Sequence, residues 1–338
     1  MSLRKLVPKL FVSFSLPLAI LISLLLGHYR TDPKTVLEVV LSAVFPHLIH
    51  SPPETVRVIV LLYRAPRAIA AAITGAVLAV SGAALQSMLR NPLVDTYILG
   101  IASGAGFGAA LAIAFLPPTV PVELVAFCFS LIAFMLAFVL AWSWGRGGVI
   151  ALVLSGVIVN AFFSAALALV KYLAPDPHRL ASIVFWLMGD IGQAAFWYKI
   201  MRMLAISLPC ILVIWFMRWR LNVLSLGDEE ARALGVNPTV ERGLLTAICA
   251  LMTSATVAYT GIIGWVGLLV PHIVRLMLGT DNRVVVTYSI VFGATYMVLA
   301  DDLARCLTSE ELPIGVLTTI MGAPLYIYLL RRASGVWR

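Results

Sequence analysis

The sequence has little charge. Only 12% of its 338 residues are Asp, Glu, Lys or Arg, whereas 61% are hydrophobic; a soluble globular domain carries about 25% charged and about 45–50% apolar residues. Several uncharged runs reach the length of about 20 residues that a helix needs to cross a bilayer. The composition therefore predicts a membrane protein, and no basic block interleaved with aromatic residues indicates nucleic-acid binding.

Motifs for catalysis and for cofactor binding are also missing. The chain has five lysines and none follows a glycine, so it lacks the Gly-Lys-Ser/Thr of a Walker A phosphate loop. The four cysteines lie at least 39 residues apart, and the metal-ligand spacing C-x₂-C does not occur. We therefore expect no enzyme activity, no metal site and no cofactor in this chain.

The uncharged runs predict an all-α integral membrane protein with ten spans in a single transmembrane domain over residues 1–338. The least obvious division lies within residues 243–274, a run too long for one span, where the glycine-bracketed TGIIG at 260–264 predicts a tight hairpin. The predicted spans are 8–27, 66–89, 96–116, 122–144, 148–171, 203–220, 240–260, 262–279, 284–303 and 313–331.

The connections between the spans predict the orientation of the chain. Fourteen of the 24 lysines and arginines fall on one side if the N-terminus is cytoplasmic, and cytoplasmic loops carry the excess of positive charge. Both termini are therefore expected in the cytoplasm and the chain in the inner membrane. This orientation makes 28–63 an outer loop, 172–202 an outer segment with a short helix, and 221–239 a cytoplasmic loop.

Ionisable residues are rare at the centres of the predicted spans. Asp301 and Asp302 lie at the outer end of the ninth span, and Lys171 lies at the outer end of the fifth. An ion-coupled carrier usually keeps an ionisable group at mid-membrane. The sequence thus favours a pathway that receives its energy from another subunit, and a secondary carrier driven by an ion gradient is the alternative.

One cytoplasmic stretch, LGDEEARALGV at 226–236, is unusually rich in charge. We expect Asp228 to cap a short helix whose first turn carries Glu229 and Glu230, since acidic residues are favoured there. Ala231, Leu234 and Val236 are small or apolar, and we expect them to enter a groove on a partner protein. The alternative is an ordinary solvated loop.

Four stretches resemble the FecCD-type permeases, the membrane subunits of ATP-driven importers for vitamin B12, haem and iron-siderophores. They are 63–106, 221–237, 261–283 and 300–330. The most specific part is G-x-x-G-x-V-G-L-x-x-P-H-x-x-R, within GIIGWVGLLVPHIVRLMLGTDNR, together with G-x-x-x-A-x-x-L-G-V in the charged stretch. The resemblance covers nearly the whole chain.

The resemblance implies a type II ABC importer permease fold with ten helices per chain. It also implies a homodimer in the lipid bilayer with one central pathway. Two ABC ATPase subunits, which bind ATP and Mg, would dock on the cytoplasmic face. A soluble or lipid-anchored substrate-binding protein would dock on the outer face.

The resemblance further assigns roles to residues of this chain. Docking of the binding protein falls to Arg64, Arg67 and Arg305, for which contact with lipid headgroups is the alternative. A cytoplasmic gate falls at Gly147, Gly148, Val149 and Ile150. Asn160 and Ser164 would face the pathway or, alternatively, bond a neighbouring helix. Contact with the ATPase falls to Gly227, Asp228, Glu229, Glu230, Ala231, Arg232, Leu234 and Gly235.

The substrate is expected from the family alone. A metal chelate (an iron-siderophore, haem or cobalamin) is favoured because such importers are frequent in the family. A molybdate-type oxyanion is the alternative.

Overall fold

The computed structural model describes residues 3–27, 29, 31–45, 53–145, 148–308 and 310–333, and within these ranges it contains helices and no strands. The helices are α1 (Leu3–Leu25), α2 (Pro33–Val44), α3 (Glu54–Val58), α4 (Ala65–Met88), α5 (Ile101–Phe115), α6 (Val122–Gly145), α7 (Val149–Tyr172), α8 (Pro177–Leu187), α9 (Trp197–Phe216), α10 (Arg218–Leu226), α11 (Asp228–Ala233), α12 (Pro238–Thr260), α13 (Val266–Leu278), α14 (Asn282–Cys306) and α15 (Ile314–Ala333).

Each of the ten predicted spans coincides with an apolar helix, but the count of ten spans is not confirmed. Within the described residues, six helical segments are long and apolar enough to cross a membrane: Glu54–Met88, Val122–Ser143, Val149–Tyr172, Trp197–Phe216, Pro238–Thr260 and Asn282–Cys306. Four further apolar stretches are shorter within the described residues: Leu10–Leu25 in α1, Ile101–Phe115, Val266–Leu278 and Ile314–Tyr328 in α15.

Two of the short helices are short because glycine-rich turns interrupt them. The predicted span 96–116 is broken at Gly100, whose φ of 81° separates a 3₁₀ turn (Thr96–Leu99) from α5. The predicted break at 260–264 is confirmed, because α12 ends at Thr260 and α13 begins at Val266. Between them, the backbone of Ile263 makes its hydrogen bonds with Tyr97. The Tyr97 hydroxyl donates to the carbonyl of Ile263 and accepts from its amide.

The second predicted span begins earlier than expected. Residues 54–63, predicted as loop, are helical, and a π-helical turn over Ile59–Arg64 joins α3 to α4. Pro66 lies two residues after this π turn. In a regular α-helix its ring would clash with the carbonyl of Leu62, and the wider π turn relieves that clash.

The sixth predicted span also differs from the structure. It was expected over 203–220, but α9 begins at Trp197 and ends at Phe216, and Met217 turns the chain into α10. Arg218 stacks on the ring of Trp215, 3.6 Å from its centroid. The turn therefore lies where the charged and aromatic residues begin, and the predicted loop 221–239 contains most of α10 and all of α11.

The helix α4 lies at the centre of the bundle, and 89% of the residues in its most apolar window are buried. Two glycines bring it into contact with neighbouring backbones. A Cβ on Gly75 would lie 2.0 Å from the carbonyl oxygen of Gly293 on α14, and a Cβ on Gly82 would lie 1.9 Å from that of Gly267 on α13. Small residues of this kind allow helices to approach closely in membranes.

The bundle has two functional ends. The end that carries α10 and α11, called here the α11 end, also holds the C-terminus of α4 and the N-terminus of α7. The opposite end carries α8 and is called the α8 end. It holds the C-termini of α1 and α14 and the N-terminus of α4, which are joined there by side-chain contacts.

We predict that Gly82→Ala lowers the free energy of unfolding by about 1–3 kcal/mol, because overpacking a closed interface has this cost. Thermal unfolding in detergent measures the effect. Gly243→Ala in α12 is the matched control, since a Cβ there meets only the rings of Phe138 and Trp142, at 3.4 Å or more. An equal loss of stability in both variants would contradict the close contact between Gly82 and Gly267.

Candidate functional site

At the α11 end, a six-residue helix projects between α10 and α12. Gly227 precedes α11 with a φ of 151°, a conformation that glycine adopts most readily, and its carbonyl accepts from the amide of Ala231. Asp228, Glu229 and Glu230 occupy the first turn, as predicted. The negative charges face the positive end of the helix dipole, so the sequence stabilises this short helix locally.

The expected capping role of Asp228 is wrong. Gly227 holds the cap position, and no side chain caps α11. Oδ1 of Asp228 instead accepts from Nη2 of Arg242 on α12 at 2.8 Å, and the Arg242 side chain is 4% exposed. The bond to Arg242 lowers the pKa of Asp228, so the contact persists at neutral pH and would be lost only in acid. It fixes α11 to the end of α12.

The expectation that Ala231 and Val236 enter a partner's groove is also wrong in this structure. Ala231 is fully buried and Val236 nearly so, and both pack into the core of this chain. The apolar side chains that α11 and its flanks expose are Leu226, at 59%, and Leu234, at 56%. Leu234 alone of the three apolar residues predicted for contact is therefore available to a partner.

A cavity of about 680 Å³ lies between α11 and the start of α7. Its lining brings three of the predicted gate residues together with one predicted coupling residue, Asp228. The full lining is Leu89, Arg90, Gly148, Val149, Ile150, Ala151, Leu154 and Asp228. Ile150 is 76% exposed. Gly147, the remaining predicted gate residue, lies outside the described residues.

Arg90 lines the same cavity and was not predicted as a functional residue. Its φ of 51° places it in the left-handed region, which is uncommon for a residue with a side chain and frequent at functional positions. The Nη1 atom of Arg90 lies 3.6 Å from the position of a Cβ on Gly227. The turn after α4 thus contacts the start of α11.

A chain of hydrogen bonds connects α10 to α14 and α4. Asn222 donates to Asp281 at 2.8 Å and accepts from the amide of Asn282 at 2.8 Å. Ser87 of α4 donates to Oδ1 of Asn282 at 2.6 Å. The hydrogen bonds to Arg283 and Asn222 hold the pKa of Asp281 below its usual range. The segment before α11 is thereby attached to the central helix.

The side chains of Asn160 and Ser164 are exposed on α7. Within the described residues, neither side chain hydrogen-bonds to a neighbouring helix of this chain. A bond to a neighbouring helix, one of the two alternatives, is therefore not seen among the described residues. Their place on a pathway stays a prediction.

At the α8 end, the donors of Arg64 form hydrogen bonds within the chain. Its Nη1 donates to the carbonyls of Leu24 and Leu25 and to the hydroxyl of Thr31, and its Nη2 donates to the carbonyl of Tyr29. The residue is 4% exposed. Arg64 therefore caps the C-terminus of α1, where a cation is favoured.

Arg67 joins α4 to α14 and to the segment before α15. Its Nε and Nη2 donate to the two carboxylate oxygens of Asp301 at 2.8 and 3.0 Å, and its Nη1 donates to both oxygens of Glu311 at 2.9 and 3.0 Å. Asp301 is 2% exposed, whereas Glu311 is 46% exposed. Breaking a buried pair costs about 3–5 kcal/mol, and an exposed pair contributes about 0.2–1 kcal/mol.

Arg305 forms the third cluster at this end. Its Nη2 donates to the carbonyl of Ser23 at 2.8 Å and also contacts Asp302, and the Ser23 hydroxyl donates to Asp302 at 2.7 Å. Arg305 and Asp302 are both buried. The three predicted docking arginines thus lie at one end of the bundle, but of the three only Arg67 pairs with an exposed carboxylate, Glu311.

Known proteins resemble the chain over most of its length. The FecCD transport family matches residues 15–332. The molybdate import system permease protein MolB of Haemophilus influenzae is 37% identical over 274 residues, which are 80% of this chain and 81% of that protein. The hemin transport system permease protein HmuU of Yersinia pestis is 38% identical over 277 residues, 80% of this chain and 82% of that protein.

A solved structure has the same fold. It is an ABC transporter of the metal-chelate type in an inward-facing conformation, with a TM-score of 0.85 and 33% sequence identity. The similarity covers 96% of this chain and 99% of that chain. The chain therefore shares its overall fold with a known ABC transporter.

We predict that Asp228→Ala loosens α11, because Arg242 then has no carboxylate to bind. Hydrogen–deuterium exchange of residues 229–236 should become about two- to fivefold faster, which corresponds to about 0.5–1 kcal/mol. Glu229→Ala removes an equal charge from the same helix turn without touching Arg242 and should leave exchange nearly unchanged. Equal exchange rates in the two variants would show that Arg242 does not anchor α11.

Proposed function

Because the chain belongs to the FecCD transport family, we propose that it is the membrane permease subunit of an ATP-driven importer that receives its substrate from a binding protein. Its own sequence has no ATPase motif, so ATP and Mg would be bound by two separate ABC ATPase subunits. The observation that carries this proposal is α11. It is a short, exposed helix fixed to α12, and it borders the cavity at the foot of α7.

The α11 end is assigned to the cytoplasm in this proposal, and both termini lie on that side of the inner membrane. The four shorter apolar helices also span the bilayer, which brings the count to ten. In α5 and α13, glycine-rich turns that are buried in protein complete the crossing, as unwound segments in transporters do.

Two copies of the chain enclose the pathway in this proposal. The support is α7, because other helices of this chain leave one of its faces uncovered. That face would contact either lipid or a second copy of the chain. Only 28% of its most apolar window is buried, and its outward residues include the polar Asn160 and Ser164 beside Phe162. A polar pair on this face suits a pathway between two copies better than it suits lipid.

The substrate proposed is a metal chelate such as haem, an iron-siderophore or cobalamin. The stretch of α7 from Val149 to Val170 carries no charged residue. A large chelate with an organic shell suits an apolar lining with a few polar groups, whereas an oxyanion would benefit from a cationic one. A molybdate-type oxyanion is the alternative substrate, since MolB is similar to this chain.

Uptake into vesicles tests the function. The permease is reconstituted with its partner ATPase and binding protein. Labelled haem, ferric siderophore, cobalamin and molybdate are supplied in turn. Uptake is expected only with ATP on the ATPase side, and a protonophore should not change it. Uptake that needs no ATPase and stops with the protonophore would establish the secondary carrier instead.

We predict that Leu234→Asp weakens binding of the ATPase subunit about tenfold or more, because burying a leucine contributes about 1.5–3 kcal/mol. Titration of the purified ATPase against the permease in nanodiscs measures this. Leu307→Asp is the control, since Leu307 is similarly exposed, at 58%, but lies at the α8 end. Equal affinity of the two variants would exclude Leu234 from the contact.

A further inference from the structure

Three arginines and three carboxylates lie close together at the outer end of the bundle. Arg67 pairs with Asp301 and Glu311, Arg305 pairs with Asp302, and Arg64 lies near Arg305. All but one of these side chains are buried or nearly buried, and the exception is Glu311, at 46% exposure. The cluster is balanced in charge, so an incoming acidic partner must replace an existing contact to gain a cation.

Arg67 has one replaceable contact. A guanidinium has five N–H donors. Two of them, on Nε and Nη2, point to the buried Asp301, and Nη1 points to the oxygens of Glu311. The side chain is 16% exposed. The edge toward solvent is therefore already occupied by an exposed carboxylate of the same chain.

Arg64 and Arg305 have no replaceable contact of this kind with an exposed carboxylate. Arg64 donates to three backbone carbonyls and a hydroxyl around the end of α1, and turning it outward would strip that helix end of its cap. Arg305 is held by Asp302 and Ser23, both of them buried. These two arginines fix the positions of α1 and α14 beneath Arg67.

We propose that Glu311 is an internal counter-ion, and that a carboxylate of the substrate-binding protein displaces it from Nη1 of Arg67 on docking. Arg64 and Arg305 then support this surface without contacting the partner. The inference rests on the proposed function, because it requires a binding protein that docks at this face.

The exchange has a consequence for the neighbouring helix. Glu311 lies three residues before α15, and the amide of Leu312 donates to the carbonyl of Ala304 on α14 at 2.9 Å. Release of Glu311 removes the side-chain link from α4 to this connection and leaves the backbone link. Docking would thus loosen the start of α15 from α4, while the backbone hydrogen bond from Leu312 still connects it to α14.

The test compares Glu311→Ala with Glu310→Ala in the permease–ATPase complex in nanodiscs. Both variants lose one negative charge from the same exposed connection, but only Glu311 contacts Arg67. The dissociation constant of the cognate binding protein is measured for each. Glu311→Ala is expected to bind about two- to fivefold more tightly, the range for an exposed pair, and Glu310→Ala should match the wild type.

A cycle with Arg67→Ala completes the test. Glu311→Ala should lose its effect in the Arg67→Ala background if the two side chains act on each other. Unchanged or weaker binding by Glu311→Ala, an equal gain in Glu310→Ala, or a gain that survives without Arg67 would each overturn the inference. Absence of any binding to the wild-type complex, together with no change in its ATPase rate, would instead reject the proposed function.

The supporting role of Arg64 has its own readout. Arg64→Lys keeps the charge but cannot reach all the acceptors around α1, so the melting temperature should fall while affinity for the binding protein in the folded fraction stays unchanged. Arg67→Lys should weaken that affinity, because lysine cannot bridge two carboxylates in the same way. A greater loss of affinity in Arg64→Lys than in Arg67→Lys would overturn the division of roles.

Discussion

Backbone-to-backbone contact between α4 and its neighbours is the constraint on which the rest of the bundle depends. Gly75 meets Gly293 of α14, and Gly82 meets Gly267 of α13, with no room for a side chain at either place. Lipid provides no hydrophobic force that drives helices together, so such close packing has to hold them. Because α4 is fixed in this way, the clusters at its two ends, around Arg67 and around Arg90, have a rigid spacer between them.

Arginines complete the frame by binding acceptors that lie far away in the sequence. Arg64 caps α1, Arg242 holds α11 through Asp228, and Arg275 of α13 contacts Gln86 and Ser87 of α4. A buried guanidinium is costly unless its donors are satisfied, so each of these side chains is committed to the fold. Arg67 differs from these side chains, because one of its two carboxylate partners, Glu311, is exposed.

The sequence predicts the apolar helices well because hydrophobic runs and glycine breaks are local signals. It did not predict the π turn before Pro66, because a proline there is equally compatible with the first turn of a new helix. It did not predict the break at Met217, because α10 follows α9 almost directly. Burial of Ala231 was missed because a six-residue helix is too short to show a hydrophobic period. Glu311 was missed because its partner, Arg67, lies 244 residues away along the chain.

The contrast between α4 and α7 indicates which part of the chain can move. In α4, 89% of the most apolar window is buried, but in α7 only 28% is. Regions with few buried contacts open at low free-energy cost, and alternating access needs one element that shifts against a fixed one. Asp228 and Ile150 line the same cavity, so α11, which is fixed to α12, lies opposite the end of α7. With α9, α7 is the least buried of the six long apolar helices in the described part of the chain. A displacement of α11 would change this cavity, which the residues after α4 also line through Leu89 and Arg90.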